Sequence, residues 1–404
     1  TAMIAIAMSG RRSRHGTLGQ LMSLFSMFAF LPALLAIPFY DALQTTSFLN
    51  AYFEMVSTIT TTGATMFEDP TRLSGGLHLW RAQVGWMGGL VMWIAASAIL
   101  APLNLGGFEV TARAQPGRMS EARGDRVGRS DPRTRLLRIT MVLFPIYAGL
   151  TLVLWVLLLL GGDTSLVSLC HAMSVMATSG ISPIGGVQNG ASGFTGEAVM
   201  FLFMLFALSR LTFSTDTVTT GGTGILSDPE FRIGMMLVIG VPVLLLLRHW
   251  MGSLEVREGD SLLKAAQAFW GSMFTVLSFL TTTGFESADW GTSQNWSGLS
   301  TPGLILMGLA LTGGGVATTA GGVKLLRVYA LYLHGLREME RLVHPSSVSG
   351  GGQRTRRIQR DGAYIAWIFF MLFALSLALV TVVLTALGVD FENAVVLSIA
   401  TLST

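Results

Sequence analysis

One four-residue pattern recurs along the chain and constrains its architecture more than any other feature. Thr60-Thr61-Thr62-Gly63 is matched by Thr281-Thr282-Thr283-Gly284, and Ala177-Thr178-Ser179-Gly180 is a close variant. Leu402-Ser403-Thr404 begins a fourth copy that is cut off. Each copy follows a short apolar run, which is itself preceded by an apolar segment of helical length. Such internal repetition predicts a chain built from four related units.

The repeated motif carries oxygen atoms without any charge. A threonine or serine pair followed by glycine presents hydroxyl and carbonyl oxygens, and glycine permits the positive φ that turns carbonyls toward an axis. Several copies around one axis replace the hydration shell of an alkali cation, as carbonyl rings do in channel filters. Alternatively the motifs only cap helices, although a cap requires neither the preceding threonines nor the repetition. The sequence therefore favours a cation filter made of Thr61, Thr62, Gly63, Thr178, Ser179, Gly180, Thr282, Thr283, Gly284, Ser403 and Thr404.

The composition is that of a polytopic membrane protein. Of the 404 residues, 51% are hydrophobic and only 12% are charged, and the mean hydropathy is +0.59. Cys170 is the single cysteine, which excludes an internal disulfide framework, and no span carries clustered metal-ligating residues. We therefore predict neither an enzyme nor a covalently bound cofactor. Uncharged runs long enough to cross a bilayer occur at 16–40, 82–108, 139–162, 291–323 and 362–389.

Arginine-rich segments predict the orientation of the chain. Residues 109–138 contain eight arginines against four acids, and residues 9–15 are basic without any acid. The positive-inside rule places such loops in the cytoplasm, so that nucleic-acid binding is not needed to explain them. All four motifs then fall on the outer side of the membrane.

The predicted fold is an all-α polytopic membrane protein with four repeated units around a central pore. Each unit has a span, a short re-entrant pore helix, a filter loop and a second span, and the pore helix directs the negative end of its dipole toward the motif. Both ends of the sequence are interpreted as truncations. The parts are the end of an earlier span with a cytoplasmic loop (1–15), the first unit (16–108), a cytoplasmic linker (109–138), the second unit (139–231), the third unit (232–342), a second linker (343–361) and an incomplete fourth unit (362–404).

Glycines interrupt the second span of the third unit. Residues 312–322 contain five glycines in eleven positions, which is incompatible with a regular packed helix. An intramembrane gate is one interpretation, and a small-residue packing face is the other. Lys324 follows directly and is either a tethered cation below the filter or an interfacial lysine. The predicted gate residues are Gly313, Gly314, Gly315, Thr318, Thr319, Gly321, Gly322 and Lys324.

Three further side chains have predicted supporting roles. Glu54, in the first pore helix, is expected to bond the backbone of the filter loop or to add to the local negative field. His171, in the second pore helix, is either a buried core histidine or a pH sensor. Asp163 belongs to a segment expected to cap the start of the second pore helix.

This plan resembles the Trk/Ktr/HKT superfamily of potassium transporters, and within it the bacterial TrkH-type membrane subunits. The resemblance covers nearly the whole chain and is carried by residues 60–65 (TTTGAT), 281–286 (TTTGFE) and the glycine-threonine break of 313–327. It implies potassium uptake across the bacterial cytoplasmic (inner) membrane, with the potassium ion as transported ligand, filter glycines in the loops and a gate below them. It also implies a homodimer in membrane lipid and a cytosolic nucleotide-binding regulatory subunit.

Two departures from the family pattern leave an alternative open. The second loop reads Ala-Thr-Ser-Gly, and the fourth loop is incomplete. The alternative is a sodium-permeable or cation-coupled secondary transporter of the same superfamily, with the broken helix as a midplane site. We disfavour it because the polar groups concentrate in four outer loops.

Overall fold

The computed structural model describes residues 17–101, 132–209, 228–253, 262–298, 301–316, 318–343 and 363–403. Within these ranges the chain is almost wholly helical, as expected where a bilayer offers no partner to free backbone groups. The predicted segment 1–15, most of the linker 109–138, nearly all of the linker 343–361 and Thr404 lie outside the described residues. The helices are α1 (Thr17–Leu43), α2 (Phe48–Ile59), α3 (Gly75–Ala95), α4 (Pro132–Leu160), α5 (Ser165–Ala177), α6 (Gly193–Met204), α7 (Pro229–Ser253), α8 (Leu262–Leu280), α9 (Trp290–Ser297), α10 (Gly303–Thr312), α11 (Leu325–Val343), α12 (Ala363–Ala386) and α13 (Phe391–Leu402).

Several long helices of the described chain are each followed by a short one. The short helices α2, α5 and α13 follow α1, α4 and α12, and each ends at a copy of the repeated motif. The third motif follows α8, which begins at Leu262 and ends at Leu280. A long helix followed by a short helix that ends at a motif is the order expected of a span and its pore helix. Five of the described helices are long and apolar enough to cross a membrane, over Leu18–Leu43, Gly75–Leu100, Thr134–Leu160, Pro229–Arg248 and Tyr364–Ala386.

Two helix boundaries differ from those the sequence suggested. Helix α4 begins at Pro132, inside the range assigned to the cytoplasmic linker, because proline is well suited to the first turn of a helix. The second span of the third unit is divided into α9 and α10 before it reaches the glycine break at Gly313. Helix α11 resumes at Leu325, beyond that break.

Separate apolar clusters hold neighbouring units together. One cluster joins the second and third units and includes Leu154, Met200 and Phe274. Another joins the first and second units through Trp93 and Tyr147. Since lipid tails are as apolar as these side chains, van der Waals packing rather than water exclusion stabilises such contacts.

Glycines on α3 bring this helix against two pore helices. A Cβ at Gly88 would overlap the backbone carbonyl of Ile59, at the end of α2. A Cβ at Gly89 would lie 3.0 Å from the Cα of Ala177, at the end of α5. Helix α3 therefore supports the ends of the first two pore helices directly, and any larger side chain at Gly88 has to displace backbone.

Candidate cation-conduction site

The three complete motifs share one backbone conformation. The second residue of each motif is left-handed, with φ of 59° at Thr61, 50° at Thr178 and 55° at Thr282. The terminal glycines also have positive φ, as the sequence predicted, with values from 65° to 83°. A left-handed β-branched residue is strained by about 1 to 3 kcal/mol, so its presence three times indicates a conformation imposed by the surroundings.

The left-handed threonines cap the pore helices. The amide of Thr61 donates to the carbonyl of Thr58 at 3.0 Å, and that of Thr62 donates to the carbonyl of Ser57 at 2.8 Å. The second and third units repeat both bonds, which together form a Schellman motif. Glycine normally occupies the left-handed cap position, but here a threonine does, so the motif glycine two residues later has another role.

The motif glycines allow neighbouring loops to approach each other closely. A Cβ at Gly63 would overlap the carbonyl oxygen of Ser179, and a Cβ at Gly180 would overlap the carbonyl oxygen of Thr283. Among the described residues, no atom lies within 4 Å of the corresponding position at Gly284. The first loop thus lies against the second and the second against the third, and Gly63 and Gly180 each face a carbonyl of the next loop.

The fourth copy is described only in part. Ser403 ends α13 as its C-cap with φ of −92°, which is right-handed, as at Thr60. The predicted alignment, with Leu402 as first residue of the motif, pairs Ser403 with the left-handed second residues instead, so the structure does not repeat that conformation here. Ser403 is buried, with an exposed fraction of 2%. Thr404 lies outside the described residues, so the predicted contribution of the fourth loop stays a prediction.

An open cavity of about 360 Å³ lies beside the loops. Its lining includes all three motif glycines together with the acidic residues Glu68 and Glu286. Burial raises the pKa of the Glu286 carboxyl above its ordinary value. Arg81 lines the same cavity, so its walls carry a basic group as well as the two acidic ones.

Side chains six residues before each motif anchor the outer end of the loop. In the first unit this residue is Glu54, whose Oε2 accepts hydrogen bonds from the amide of Met66 at 3.1 Å and from Thr65 Oγ1 at 3.2 Å. Its Oε1 lies 2.7 Å from Nη2 of Arg81. The expected bond from Glu54 to the loop backbone is therefore present, with a buried ion pair behind it.

In the second unit the equivalent residue is His171. Its Nε2 lies 2.9 Å from Ser182 Oγ, which itself accepts the amides of Ile184 and Gly186 at 3.2 and 3.0 Å. Two accepted bonds leave the serine hydroxyl to donate, so Nε2 accepts and the imidazole is neutral. The structure favours the core histidine over the pH sensor.

The third unit uses Thr275 at the same position. Its Oγ1 accepts the amide of Ser287 at 3.2 Å. Three different chemical groups thus perform one task in three units. The correspondence of Glu54 with His171 follows from the sequence spacing, and the structure adds Thr275 to it.

Asp163 does not cap the second pore helix. Thr164 is the N-cap residue of α5, without a side-chain cap bond. Asp163 instead accepts the amide and hydroxyl of Ser192, both at 2.9 Å. The predicted helix start at residues 163–165 is therefore correct in position, although Asp163 itself binds the returning loop.

The glycine break lies against the filter loops. The amide of Gly321 donates to Thr282 Oγ1 at 2.8 Å, which is a direct contact between the predicted gate and the third filter loop. Thr318 and Thr319 line a small cavity with Thr178 of the second loop. The break therefore lies next to two of the three complete motifs.

Buried partners hold the break on its other side. The amide of Gly315 donates to the carbonyl of Ala207 at 3.0 Å, and the amide of Val316 donates to Glu230 Oε1 at 3.2 Å. Glu230, in the first turn of α7, was missed in the sequence, although a charged residue at the start of a span is itself a functional signal.

The glycines of the break also pack tightly. Cβ atoms at Gly313 and Gly322 would overlap backbone across the base of the loop, and one at Gly315 would lie 2.7 Å from the carbonyl oxygen of Leu208. Packing thus accounts for individual glycines, as the alternative interpretation expected. It does not account for the hydrogen bond between Gly321 and the filter loop.

Lys324 is bound to the break rather than free. Its Nζ donates to the carbonyl oxygen of Ala320, and its backbone is left-handed with φ of 82°. Arg327, one turn further on, places its guanidinium 3.5 Å from the ring centroid of Phe369 on α12. The ammonium group therefore closes the end of the break that is joined to α11.

A family model described as "TrkH: Cation transport protein" matches residues 33–404 of the chain. The Trk system potassium uptake protein TrkH of Vibrio parahaemolyticus is 29% identical over 370 residues, which cover 88% of this chain and 70% of the relative. TrkH of Halomonas elongata is 29% identical over 346 residues, covering 84% and 67%. TrkG of Escherichia coli is 28% identical over 355 residues, covering 85% and 67%.

A solved structure shares the fold. The crystal structure of the potassium transporter TrkH from Vibrio parahaemolyticus matches with a TM-score of 0.76 and 25% sequence identity. The match covers 97% of this chain and 77% of that chain. The predicted all-α membrane fold is therefore confirmed.

Proposed function

The chain belongs to the TrkH family of cation transport proteins, and from that premise we propose that it takes up potassium through the three described filter loops and a fourth. The observation that carries this proposal is the contact of Gly63 and Gly180 with carbonyl oxygens of the next loop. Uncharged oxygens in a ring replace the water of a large, weakly hydrated cation. The names of the relatives, which are potassium uptake proteins, support the same ion.

We further propose that residues 313–322 gate this path. Their support is the position of the break beside Thr282 and Thr178, in loops whose motif glycines line the larger cavity. The filter loops then face outward and the arginine-rich segments face the cytoplasm, according to the positive-inside rule. The homodimer and the cytosolic nucleotide-binding subunit implied by the resemblance stay predictions.

Flux through purified protein in liposomes tests the function. A potassium gradient alone should drive uptake and should reverse its direction when the gradient is reversed. Potassium should also outcompete sodium. Uptake that requires a second ion gradient would favour the cation-coupled transporter, and equal permeation of sodium would remove the selectivity proposed for the loops.

A further inference from the structure

A buried carboxylate lies behind the third filter loop and comes from a different unit. Glu197 is the fifth residue of α6, in the second unit, with an exposed fraction of 3%. Its oxygens accept three hydrogen bonds, from Trp270 Nε1 at 2.9 Å, from Ser287 Oγ at 2.7 Å and from the amide of Ala288 at 2.7 Å. All three donors are neutral and belong to the third unit.

The first unit shows what this carboxylate replaces. There Glu54, on the pore helix itself, bonds the segment that follows the motif glycine. In the third unit the equivalent residue is Thr275, whose single hydroxyl accepts only the amide of Ser287 from that segment. Glu197 accepts the side chain of Ser287 and the next amide, so the preceding unit provides the carboxylate that the third pore helix lacks.

The surroundings hold Glu197 in one arrangement. The Trp270 ring lies 4.8 Å from the Phe194 ring and 5.5 Å from the Phe201 ring, both of which are on α6. These contacts direct the indole N–H at the carboxylate. Hydrogen bonds to an ionised acceptor are stronger than neutral ones, and a buried carboxylate requires several of them to offset its loss of water.

We propose that Glu197 is a positioning residue for cation selectivity, an inference that rests on the proposed function. The segment that it binds begins three residues after Gly284, so its contacts hold the outer end of the third filter loop. Sodium is smaller than potassium and requires the ring of oxygens to contract. A loop tied to α6 and to its own pore helix resists that contraction, which favours potassium.

The test is Glu197→Gln in the full chain, reconstituted in liposomes, with the ratio of potassium to sodium permeation as the readout. Glutamine replaces one acceptor oxygen by an NH₂ group that cannot accept from Ser287 or Ala288. We expect the ratio to fall about tenfold, equivalent to about 1.4 kcal/mol, while potassium flux per folded protein falls less. Glu392→Gln is the matched control, because Glu392 is an exposed residue in the first turn of α13.

Milder variants cover the case in which Glu197→Gln fails to fold. Ser287→Ala and Trp270→Phe each remove one donor to the carboxylate, and each should lower the ratio in the same direction by a smaller factor. If the wild type prefers potassium to sodium and these variants, or folded Glu197→Gln, have the same permeation ratio as the wild type, the inference is overturned. A merely structural role predicts that both fluxes fall together. A wild type that does not discriminate overturns the proposed function instead, and this inference with it.

Discussion

The hydrogen bond from Gly321 to Thr282 Oγ1 makes a specific prediction about the gate. Thr282→Val keeps the shape and the β-branching of the residue but removes the acceptor, so the amide of Gly321 loses its partner at 2.8 Å. An unpaired amide of this kind costs about 1 to 2 kcal/mol. If the bond is present only when the gate is closed, the open state gains that free energy, and basal potassium flux should rise about 5- to 30-fold.

Two matched variants separate the gate from the filter. Thr282→Ser retains the hydroxyl and should leave the basal flux close to that of the wild type. Thr61→Val makes the same change at the equivalent left-handed position of the first unit, whose hydroxyl is not the partner of Gly321. It therefore reports the effect of losing a filter hydroxyl alone.

The assay is potassium flux into liposomes without any cytosolic partner, normalised to the amount of folded protein. The reasoning predicts that only Thr282→Val raises basal flux. If Thr61→Val raises flux equally, the increase comes from the filter. If Thr282→Val leaves flux unchanged, the bond does not restrain the gate, and the proposed coupling between gate and filter is refuted.

Three other substitutions test separate parts of the site. Gly63→Ser should lower the potassium to sodium permeation ratio by about tenfold. A left-handed non-glycine residue is strained by about 1 to 2 kcal/mol, and its Cβ displaces a carbonyl of the next loop. Gly149→Ser is the control, because Gly149 has open space around it, and it should leave the ratio unchanged. Lys324→Ala should raise basal flux several-fold by releasing the end of the break, whereas Lys324→Arg should largely preserve it; equal flux in both variants and the wild type would count against this role. Glu54→Gln should lower the free energy of unfolding by about 3 to 5 kcal/mol, because it leaves the buried Arg81 without its ionic partner; thermal unfolding in detergent measures this, and an unchanged midpoint would contradict it.

The sequence predicted the features that arise from spacing along the chain. The repeats, the short helices that end at the motifs and the break at Gly313 all follow from local composition. The bond from Glu54 to Met66 was also accessible, because only a short loop separates the two residues. The left-handed threonines were not predicted, because threonine rarely adopts this conformation. A positive φ was expected only at the motif glycine.

Contacts between units could not be predicted from the sequence. Glu197 bonds residues of the third unit, which are far from it along the chain, and nothing in its local sequence distinguishes it from a charged residue at the start of a span. The bond between Glu230 and Val316 likewise joins residues that are far apart along the chain. Such pairs depend on how units are arranged around the axis, and that arrangement is a property of the fold.

Because the repeats lie in a single chain, the residues that support the loops can differ from one unit to the next. In a pore made of identical subunits, one substitution changes every quarter of the ring, because rotational symmetry repeats it. Here Glu54, His171 and Thr275 occupy one equivalent position with three chemistries, and each can change alone. If the loops form the proposed ring, such a chain can change the support of one loop while the other loops keep theirs.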